Sequence, residues 1–381
     1  MDARAKLFLR RDPYDAAGSA EAFLCAVREN LAWHAARNPA YRRILDAEGV
    51  DAGMIRSEGD LARIPVIPTL YFKRNRLFTV PEGALRVGAA SSGTSGSRSF
   101  VAFDAPSFRY GLAMVFFFFL RHHVLSPLPT NYIVLGPRPD RILGSGSEED
   151  TGAGAAKTAY GTTKFAPALH REYALEITPS GPHVNEEGVS RALLRYAKQG
   201  FPVRFVGLPP YMAFLLSALR ENGVKLRLNQ KSKVILGGGW KQFASREIDR
   251  AEFAGLLRET LGLGPENLLE FYSAVEHPIP YCKCARGHFH VPLYSRAIIR
   301  DPVTLAPLPE GRAGLLSFVT PLMTSLPLLS VVTDDLAALR PGADCGCGIP
   351  TPYFDLLGRA GAGGAKTCAA EAAELLAKEA G

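Results

Sequence analysis

The sequence predicts an α/β fold in which helices are layered on β-sheets, and two observations support this. Short apolar runs alternate with helical patterns through the middle of the chain, as is typical of α/β proteins. Loops marked by glycine or proline follow several of these runs, at the edge where open α/β sheets bind ligands. The chain has 381 residues, of which 47% are hydrophobic, so we expect a large core and two or three domains.

The charge balance narrows the class of partner. Lysine and arginine number 44 against 37 acidic residues, a net charge of +7 that fits an anionic small molecule such as a nucleotide. No basic run points to nucleic acid. The start of the chain lacks a signal-peptide core, and the longest apolar run, 112–120, is too short to cross a bilayer. We therefore expect a cytoplasmic protein, with its oligomeric state left open.

The secondary-structure pattern divides the chain into four segments. Residues 1–80 predict a helical segment, because apolar residues recur at helical spacing over 19–38. Helices are further predicted at 107–123, 186–198, 209–222 and 246–261, and strands at 85–90, 100–103, 131–136, 203–206, 234–236 and 268–272. The segment 81–275 is thus an α/β core with a mobile loop at 138–163, and 276–359 is a β-rich subdomain. Residues 360–381 read as a glycine-rich tether and a short helix that bears Cys368.

Four of the six cysteines form two Cys-x-Cys pairs, Cys282 with Cys284 and Cys345 with Cys347. Two such pairs can close a tetrahedral zinc site that has no open coordination position, so the ion would stabilise rather than catalyse. The neighbouring glycines, 287, 346 and 348, would let the backbone turn about a metal. The alternative is four reduced, partly buried cysteines. His288 and His290 are candidates to replace one thiolate, but the strand-like pattern around His290 favours an ordinary role.

The loop at 91–99 is the first candidate for phosphate binding. Its hydroxyls, its glycines and the nearby Arg98 provide the donors and charge of a phosphate cradle, although the ending of a Walker A loop is absent. A flexible glycine–serine hairpin explains the composition equally well. The cradle would consist of Ser91, Ser92, Gly93, Thr94, Ser95 and Gly96.

Three further motifs follow predicted strands. The three glycines before Trp240 and Lys241 imply close approach of the backbone by a ligand or by tight packing under Trp240. Tyr272 can stack on a base and Glu276 can hold Mg²⁺, although a core tyrosine and a solvated glutamate are the ordinary alternative. Two aspartates, Asp334 and Asp335, follow Thr333. They can bind ribose hydroxyls or a metal, or can simply be a solvated strand end.

The tail offers a candidate nucleophile. Thr367 is placed to cap a short helix, which would put Cys368 in its first turn beside Lys366 and lower the pKa of the thiol. Thiolate nucleophiles are often placed in this way. The alternative is a cysteine on a frayed terminal helix.

Taken in order, these motifs resemble those of the adenylate-forming superfamily. Its phosphate loop is similar to 91–96, and its Tyr-x-x-x-Glu motif is similar to the run from Tyr272 to Glu276. Its ribose-binding motif is similar to the aspartate pair, and its hinge motif is similar to 357–359. The stretch 290–359 resembles the phenylacetate–CoA ligase branch. Within that branch, the runs 64–73 and 237–241 and a cysteine near the C-terminus are similar to the acyl-protein synthetase (LuxE-type) family. The resemblance implies the large-domain fold of adenylate-forming enzymes, with layered sheets, a small β-rich part and a truncated C-terminal lid.

The resemblance also implies a role for each matched residue. The loop 91–96 would hold the ATP β- and γ-phosphates, with Arg98 or Lys241 supplying the charge of the usual Pro-Lys ending, which is missing here. Glu276 would hold Mg²⁺, and Cys368 would receive the acyl group. The remaining nucleotide contacts would come from Gly238 and Gly239, Tyr272 against adenine, Asp335 on the ribose and Arg359 at the hinge.

The implied reaction activates a fatty or aryl acid as an acyl-adenylate and then transfers the acyl group to Cys368. A partner such as an acyl reductase would then take up the group. Its cofactors would be ATP, Mg²⁺ and a structural zinc ion. Three alternatives remain open: an acyl- or aryl-CoA ligase, transfer to a carrier protein or an amine, and a catalytically silent zinc-stabilised binding module.

Overall fold

The computed structural model describes residues 3–15, 17–90, 100–138, 159–178 and 181–360, and these form two units. The first unit takes its described residues from 3–90, 100–118 and 273–360, and the second takes them from 119–272. The first unit is therefore discontinuous in sequence. It contains both the predicted helical segment 1–80 and the predicted β-rich segment 276–359.

The helices and strands of the described residues follow the predicted alternation. The α-helices are α1 (Ala3–Phe8), α2 (Ala20–Arg37), α3 (Pro39–Ala47), α4 (Thr69–Arg74), α5 (Ala105–Arg121), α6 (Glu186–Gln199), α7 (Pro209–Glu221) and α8 (Arg250–Leu261). The strands are β1 (Ile67–Pro68), β2 (Leu85–Ala90), β3 (Phe100–Asp104), β4 (Thr130–Pro137), β5 (Ala168–Thr178), β6 (Gly181–Val184), β7 (Val203–Gly207), β8 (Lys233–Gly237), β9 (Leu268–Ala274), β10 (His277–Cys282), β11 (Phe289–His290), β12 (Arg296–Arg300), β13 (Ala313–Val319), β14 (Ser330–Arg340) and β15 (Tyr353–Arg359).

The second unit contains a mainly parallel sheet whose central strands are buried on both faces. Its strands run in the order β9-β8-β7-β4-β5-β6, and all neighbours are parallel except β5 and β6. Apolar residues of β4, β7 and β8 pack with α6, α7 and α8, as in the cluster of Phe205, Leu193, Leu216 and Leu257. Burial on both faces explains the continuous apolar runs that predicted these strands.

Antiparallel pairing builds the sheet of the first unit. Its strands run in the order β11-β15-β14-β13-β12, and β1 pairs in parallel with β14 through Ile67 and Val331. Strands β2 and β3 form a separate antiparallel pair in the same unit.

The N-terminal helices attach to the C-terminal part of this unit by buried polar contacts. Asn30, on the buried face of α2, donates from Nδ2 to the carbonyl oxygen of Met323 at 2.7 Å. His34 Nε2 lies 3.1 Å from the same oxygen, and its Nδ1 lies 2.7 Å from Thr79 Oγ1. Buried polar groups require such partners, so these bonds fix how the helix sits on the unit.

Candidate functional site

Strand pairing in the first unit brings Asp335 and Arg359 together. The register of β14 with β15 places these two residues directly opposite each other. Arg359 Nε lies 3.9 Å from Asp335 Oδ1, and its Nη2 lies 3.7 Å from Asp334 Oδ2. The Arg359 side chain is 60% exposed. These contacts are longer than hydrogen bonds, so the guanidinium retains capacity to meet a solvent-borne anion.

Thr333 orients the aspartate pair from inside the sheet. Its buried hydroxyl donates to the carbonyl oxygen of Leu316 at 3.0 Å and accepts from the backbone N–H of Asp335 at 3.2 Å. The backbone at Asp335 is thereby held, while the two carboxylates remain partly exposed at the surface. Thr333, which the sequence pointed to only as part of the motif, has a defined supporting role.

Glu276 lies in the first unit, immediately before β10, with a side chain that is buried. A buried carboxylate is costly unless it is paired or coordinates a metal. The carboxylate oxygens of Glu276 are the ligands that Mg²⁺ prefers, so the residue fits the role that the resemblance implies.

The glycine run after β8 lies in the second unit. The sequence left two interpretations of it open, close approach by a ligand and tight packing, and different glycines fit each. Gly238 has a φ of +80°, and a Cβ there would meet Leu208 Cδ2 at 3.0 Å, which supports tight packing. A Cβ at Gly239 would meet no heavy atom within 4 Å, so space is open at that position. Lys241 begins a 3₁₀ turn, Lys241–Arg246, and its side chain lies outside what the structure describes.

Tyr272 is half-buried near the end of β9, also in the second unit. An aromatic ring at the carboxyl end of a parallel strand is well placed for a planar ligand. Eight of the predicted site residues lie outside the described residues: Ser91, Ser92, Gly93, Thr94, Ser95, Gly96, Arg98 and Cys368.

Four metal-ligating side chains converge in the first unit: Cys284, His290, Cys345 and Cys347. Their ligand atoms all lie within 4.8 Å of one another. Cys284 Sγ and Cys345 Sγ are 3.6 Å apart, and His290 Nε2 is 3.2 Å from Cys347 Sγ. None of the five described cysteines is in a disulfide.

The convergent side chains differ from the predicted ligand set at one position, because His290 is in the cluster and Cys282 is not. Cys282 is the last residue of β10 and is fully buried, with its Sγ 3.6 Å from the carbonyl oxygen of Lys283. His290 enters the cluster because β11 pairs with β15, opposite Tyr353. His288, the other histidine considered, instead has its Nδ1 2.6 Å from Asp355 Oδ1.

The pKa values of the cluster shift in different directions. Desolvation tends to raise the pKa of Cys284, but hydrogen bonds with the backbone of His288 and Arg286 and with the side chains of Cys345 and Cys347 together lower it. Burial, with hydrogen bonds to Cys347 and Cys284, raises the pKa of Cys345 to about 12. Desolvation lowers the pKa of His290, which keeps the ring neutral, as a metal ligand must be.

Comparison with solved structures identifies the fold. An open conformation of 2-hydroxyisobutyryl-CoA ligase, in complex with 2-HIB-AMP and CoA, aligns with a TM-score of 0.65 at 17% identity. The alignment covers 92% of this chain and 77% of that one. The predicted fold, that of the adenylate-forming ligases, is confirmed.

Comparison of sequences identifies the family. The profile described as "Acyl-protein synthetase, LuxE" matches residues 6–377. The chain belongs to this family. The predicted family is thereby confirmed, and the protein is an acyl-adenylate-forming ligase that activates an acid.

Curated relatives of this protein include two kinds of ligase. Long-chain-fatty-acid–luciferin-component ligases are 29% identical over 311 residues in Vibrio harveyi (81% of this chain, 76% of the relative) and 28% identical over 360 in Aliivibrio fischeri (92% and 88%). A phenylacetate-coenzyme A ligase of Thermus thermophilus is 26% identical over 320 residues, covering 82% of this chain and 63% of the relative. Among the described residues, no helix is both long and apolar enough to cross a membrane.

Proposed function

We propose that this protein uses ATP to activate a fatty or aryl acid and then carries the acyl group on its own Cys368. The observation that carries the nucleotide part is the register of β14 with β15, which sets Asp335 opposite Arg359. A carboxylate beside an exposed guanidinium provides an acceptor for ribose hydroxyls and a donor for phosphate oxygens. Gly238, Gly239 and Tyr272 would line the adenine side, as the family resemblance implies.

In the first step, a carboxylate oxygen of the acid attacks the α-phosphorus of ATP. The bond from that phosphorus to the bridging oxygen breaks, and pyrophosphate leaves with the electron pair. Glu276 would hold the Mg²⁺ that offsets the developing phosphate charge. Ser91, Ser92, Gly93, Thr94, Ser95 and Gly96, with the charge of Arg98 or Lys241, would orient the leaving phosphates.

In the second step, the deprotonated sulfur of Cys368 attacks the acyl carbonyl carbon. A thioester forms, the bond to the adenylate oxygen breaks, and AMP leaves with that oxygen. We propose that a partner, such as an acyl reductase, then takes the acyl group. The names of the two luciferin-component ligases support a long-chain fatty acid, and the family description "Acyl-protein synthetase, LuxE" supports a protein acceptor.

Coenzyme A is the second candidate acceptor, and the phenylacetate-coenzyme A ligase of Thermus thermophilus favours it. Both candidates share the adenylation half-reaction. They differ in whether turnover requires Cys368 or free coenzyme A.

Intact-mass spectrometry separates these functions. The protein is incubated with ATP, Mg²⁺ and a panel of fatty and aromatic acids, and we expect a mass gain of one acyl group that hydroxylamine removes. Cys368→Ser should abolish the gain and retain acid-dependent exchange of pyrophosphate into ATP. The matched control is Cys25→Ser, at a half-exposed cysteine on α2, which should still acylate.

The other outcomes identify the alternatives. AMP release that depends on coenzyme A and persists in Cys368→Ser would establish a CoA ligase. Loss of the mass gain only when a carrier protein or an amine is supplied would establish transfer to that acceptor. Absence of pyrophosphate exchange with every acid would leave a silent binding module. Glu276→Gln should abolish exchange and acylation together, and retained exchange would remove Glu276 from the metal role.

A further inference from the structure

The cluster of Cys284, His290, Cys345 and Cys347 has no part in the reaction described above. We propose that these four residues, and not the four cysteines of the two Cys-x-Cys pairs, bind one structural zinc ion. The ion would fasten the turn after β10 to the segment that leads into β15. The cluster lies entirely within the first unit, and so the inference does not depend on the acyl acceptor.

The distances fit tetrahedral coordination. Zn–S bonds of about 2.3 Å and Zn–N bonds of about 2.0–2.1 Å place two thiolates about 3.8 Å apart, and a thiolate and an imidazole nitrogen about 3.5 Å apart. The observed Sγ–Sγ distance is 3.6 Å, and the observed Nε2–Sγ distance is 3.2 Å. For these two pairs, shifts of a few tenths of an ångström would give the tetrahedral separations, and all four ligand atoms lie within 4.8 Å of one another.

His290 is oriented as a ligand by its second nitrogen. Its Nδ1 lies 2.8 Å from the carbonyl oxygen of Thr351, which can only accept, so Nδ1 carries the hydrogen. Nε2 therefore presents its lone pair toward the cysteines. A metal-bound histidine characteristically donates its other N–H in this way, and the ring is fully buried.

The backbone turns that deliver the thiolates require glycine. Gly287, Gly346 and Gly348 have φ values of +92°, +68° and +87°. Other residues rarely adopt this region, so these glycines permit the tight turns beside Cys284 and Cys345. The turns account for a ligand spacing shorter than the usual two intervening residues.

Three protein thiolates and one imidazole leave no open coordination position, so the ion would stabilise the fold and activate no water. The ion would link two segments of the chain. One segment carries Cys284 and His290 of β11, and the other carries Cys345 and Cys347. These last two precede β15, the strand that ends at Arg359. The zinc would therefore fix the start of the strand that carries one of the proposed nucleotide contacts.

Elemental analysis of the purified full chain tests the ligand set. We expect one zinc ion per chain, retained in Cys282→Ser and in His290→Cys, which restores a fourth thiolate. Cys345→Ser and His290→Ala should lose the ion on dialysis against a chelator. Loss from Cys282→Ser with retention in His290→Ala would overturn the proposal in favour of the four-cysteine set.

A measurement on the unaltered protein covers the case in which a variant fails to fold. The cysteines are alkylated with and without a chelator, and each is located by peptide mass spectrometry. Chelation should increase modification at Cys284, Cys345 and Cys347. Absence of zinc from the protein, together with an unfolding temperature that neither added zinc nor a chelator shifts, would overturn the proposal.

Discussion

The two ends of the β14–β15 ladder differ sharply in their surroundings. At one end, Leu339 pairs with Phe354, whose ring lies 5.2 Å from that of Tyr281 and 5.9 Å from that of Phe318. At the other end, Asp335 pairs with Arg359, and the last four residues of β15 are exposed. A register shift between Leu336 and Ala337 separates the two ends.

The contrast assigns different tasks to the two ends. Aromatic contacts and burial hold the Phe354 end, so substitutions there should mainly change stability. The Arg359 end is held by loose ionic contacts, so substitutions there should mainly change binding. One strand can thus be fixed at its start and still present an exposed guanidinium, the proposed ligand contact, at its end.

The largest expected effect is at the buried end. Phe354→Ala should lower the free energy of unfolding by about 3–5 kcal/mol, because it removes a fully buried ring and leaves a cavity. Leu356→Ala, at a partly exposed position of the same strand, is the matched control and should cost less than about 1 kcal/mol. Urea unfolding measures both. Equal losses would show that the two ends are anchored alike.

At the exposed end, Asp335→Asn should raise the KM for ATP about tenfold to a hundredfold, because a hydrogen bond to a charged group contributes about 1.5–3 kcal/mol. The free energy of unfolding should change by less than about 0.5 kcal/mol. Acid-dependent pyrophosphate exchange and urea unfolding provide the two readings. A stability loss with an unchanged KM would reverse the assignment of tasks.

Acid should weaken the buried end selectively. His277 stacks on Phe318 at 4.3 Å, and burial lowers its pKa from 6.5 to about 3. Between these values the unfolded chain binds the extra proton, so stability falls as the pH decreases below 6.5. From pH 7 to pH 5 the loss should be about 2 kcal/mol for this residue.

The matched variant for the acid effect is His277→Phe, which keeps a ring against Phe318. His34 contributes a loss of the same sign, because burial lowers its pKa to about 4. The unaltered protein should therefore lose about 2 kcal/mol more than His277→Phe over that interval. Urea unfolding at pH 5 and pH 7 measures the loss in each protein. An equal loss of unfolding free energy in the unaltered protein and in His277→Phe would contradict the proposed role of His277.

The smallest effect concerns the ion pair itself. A double-mutant cycle of Asp334→Ala and Arg359→Ala should give a coupling in stability of about 0.2–1 kcal/mol, since the pair is exposed and screened by salt. Urea unfolding at low and high salt measures it. A coupling that exceeds this range, or that salt leaves unchanged, would mean that the Arg359 end is anchored more firmly than its exposure indicates.

The sequence predicted those helices and strands that are marked by a residue pattern within the element itself. Proline at the start of α7 and continuous apolar runs in β4, β7 and β8 set those elements within a few residues of their observed bounds. Strand β5 was missed, because His170, Arg171 and Glu172 interrupt its apolar residues. The motif order predicted the family, since several moderately specific motifs in one sequence order are jointly specific.

The presence of His290 rather than Cys282 in the cluster could not be predicted from spacing. It depends on the pairing of β11 with β15, which joins residues about sixty positions apart. A strand-like pattern around His290 favoured an ordinary role, because periodicity reports which face a side chain occupies and not what meets it there. The pairing of Asp335 with Arg359, by contrast, followed from motifs already assigned to one site.

The parallel pairing of β1 with β14 has a consequence for how the protein is made. Ile67 pairs with Val331, and Asn30 bonds to Met323, so an emerging polypeptide leaves Ile67 and Asn30 without these partners until the chain has been synthesised past residue 331. The continuous stretch 119–272 needs no such delay. In ribosome-bound intermediates, we therefore expect the segment 119–272 to be folded while the N-terminal segment of the first unit is still incompletely folded. Chaperones would be needed at that N-terminal segment.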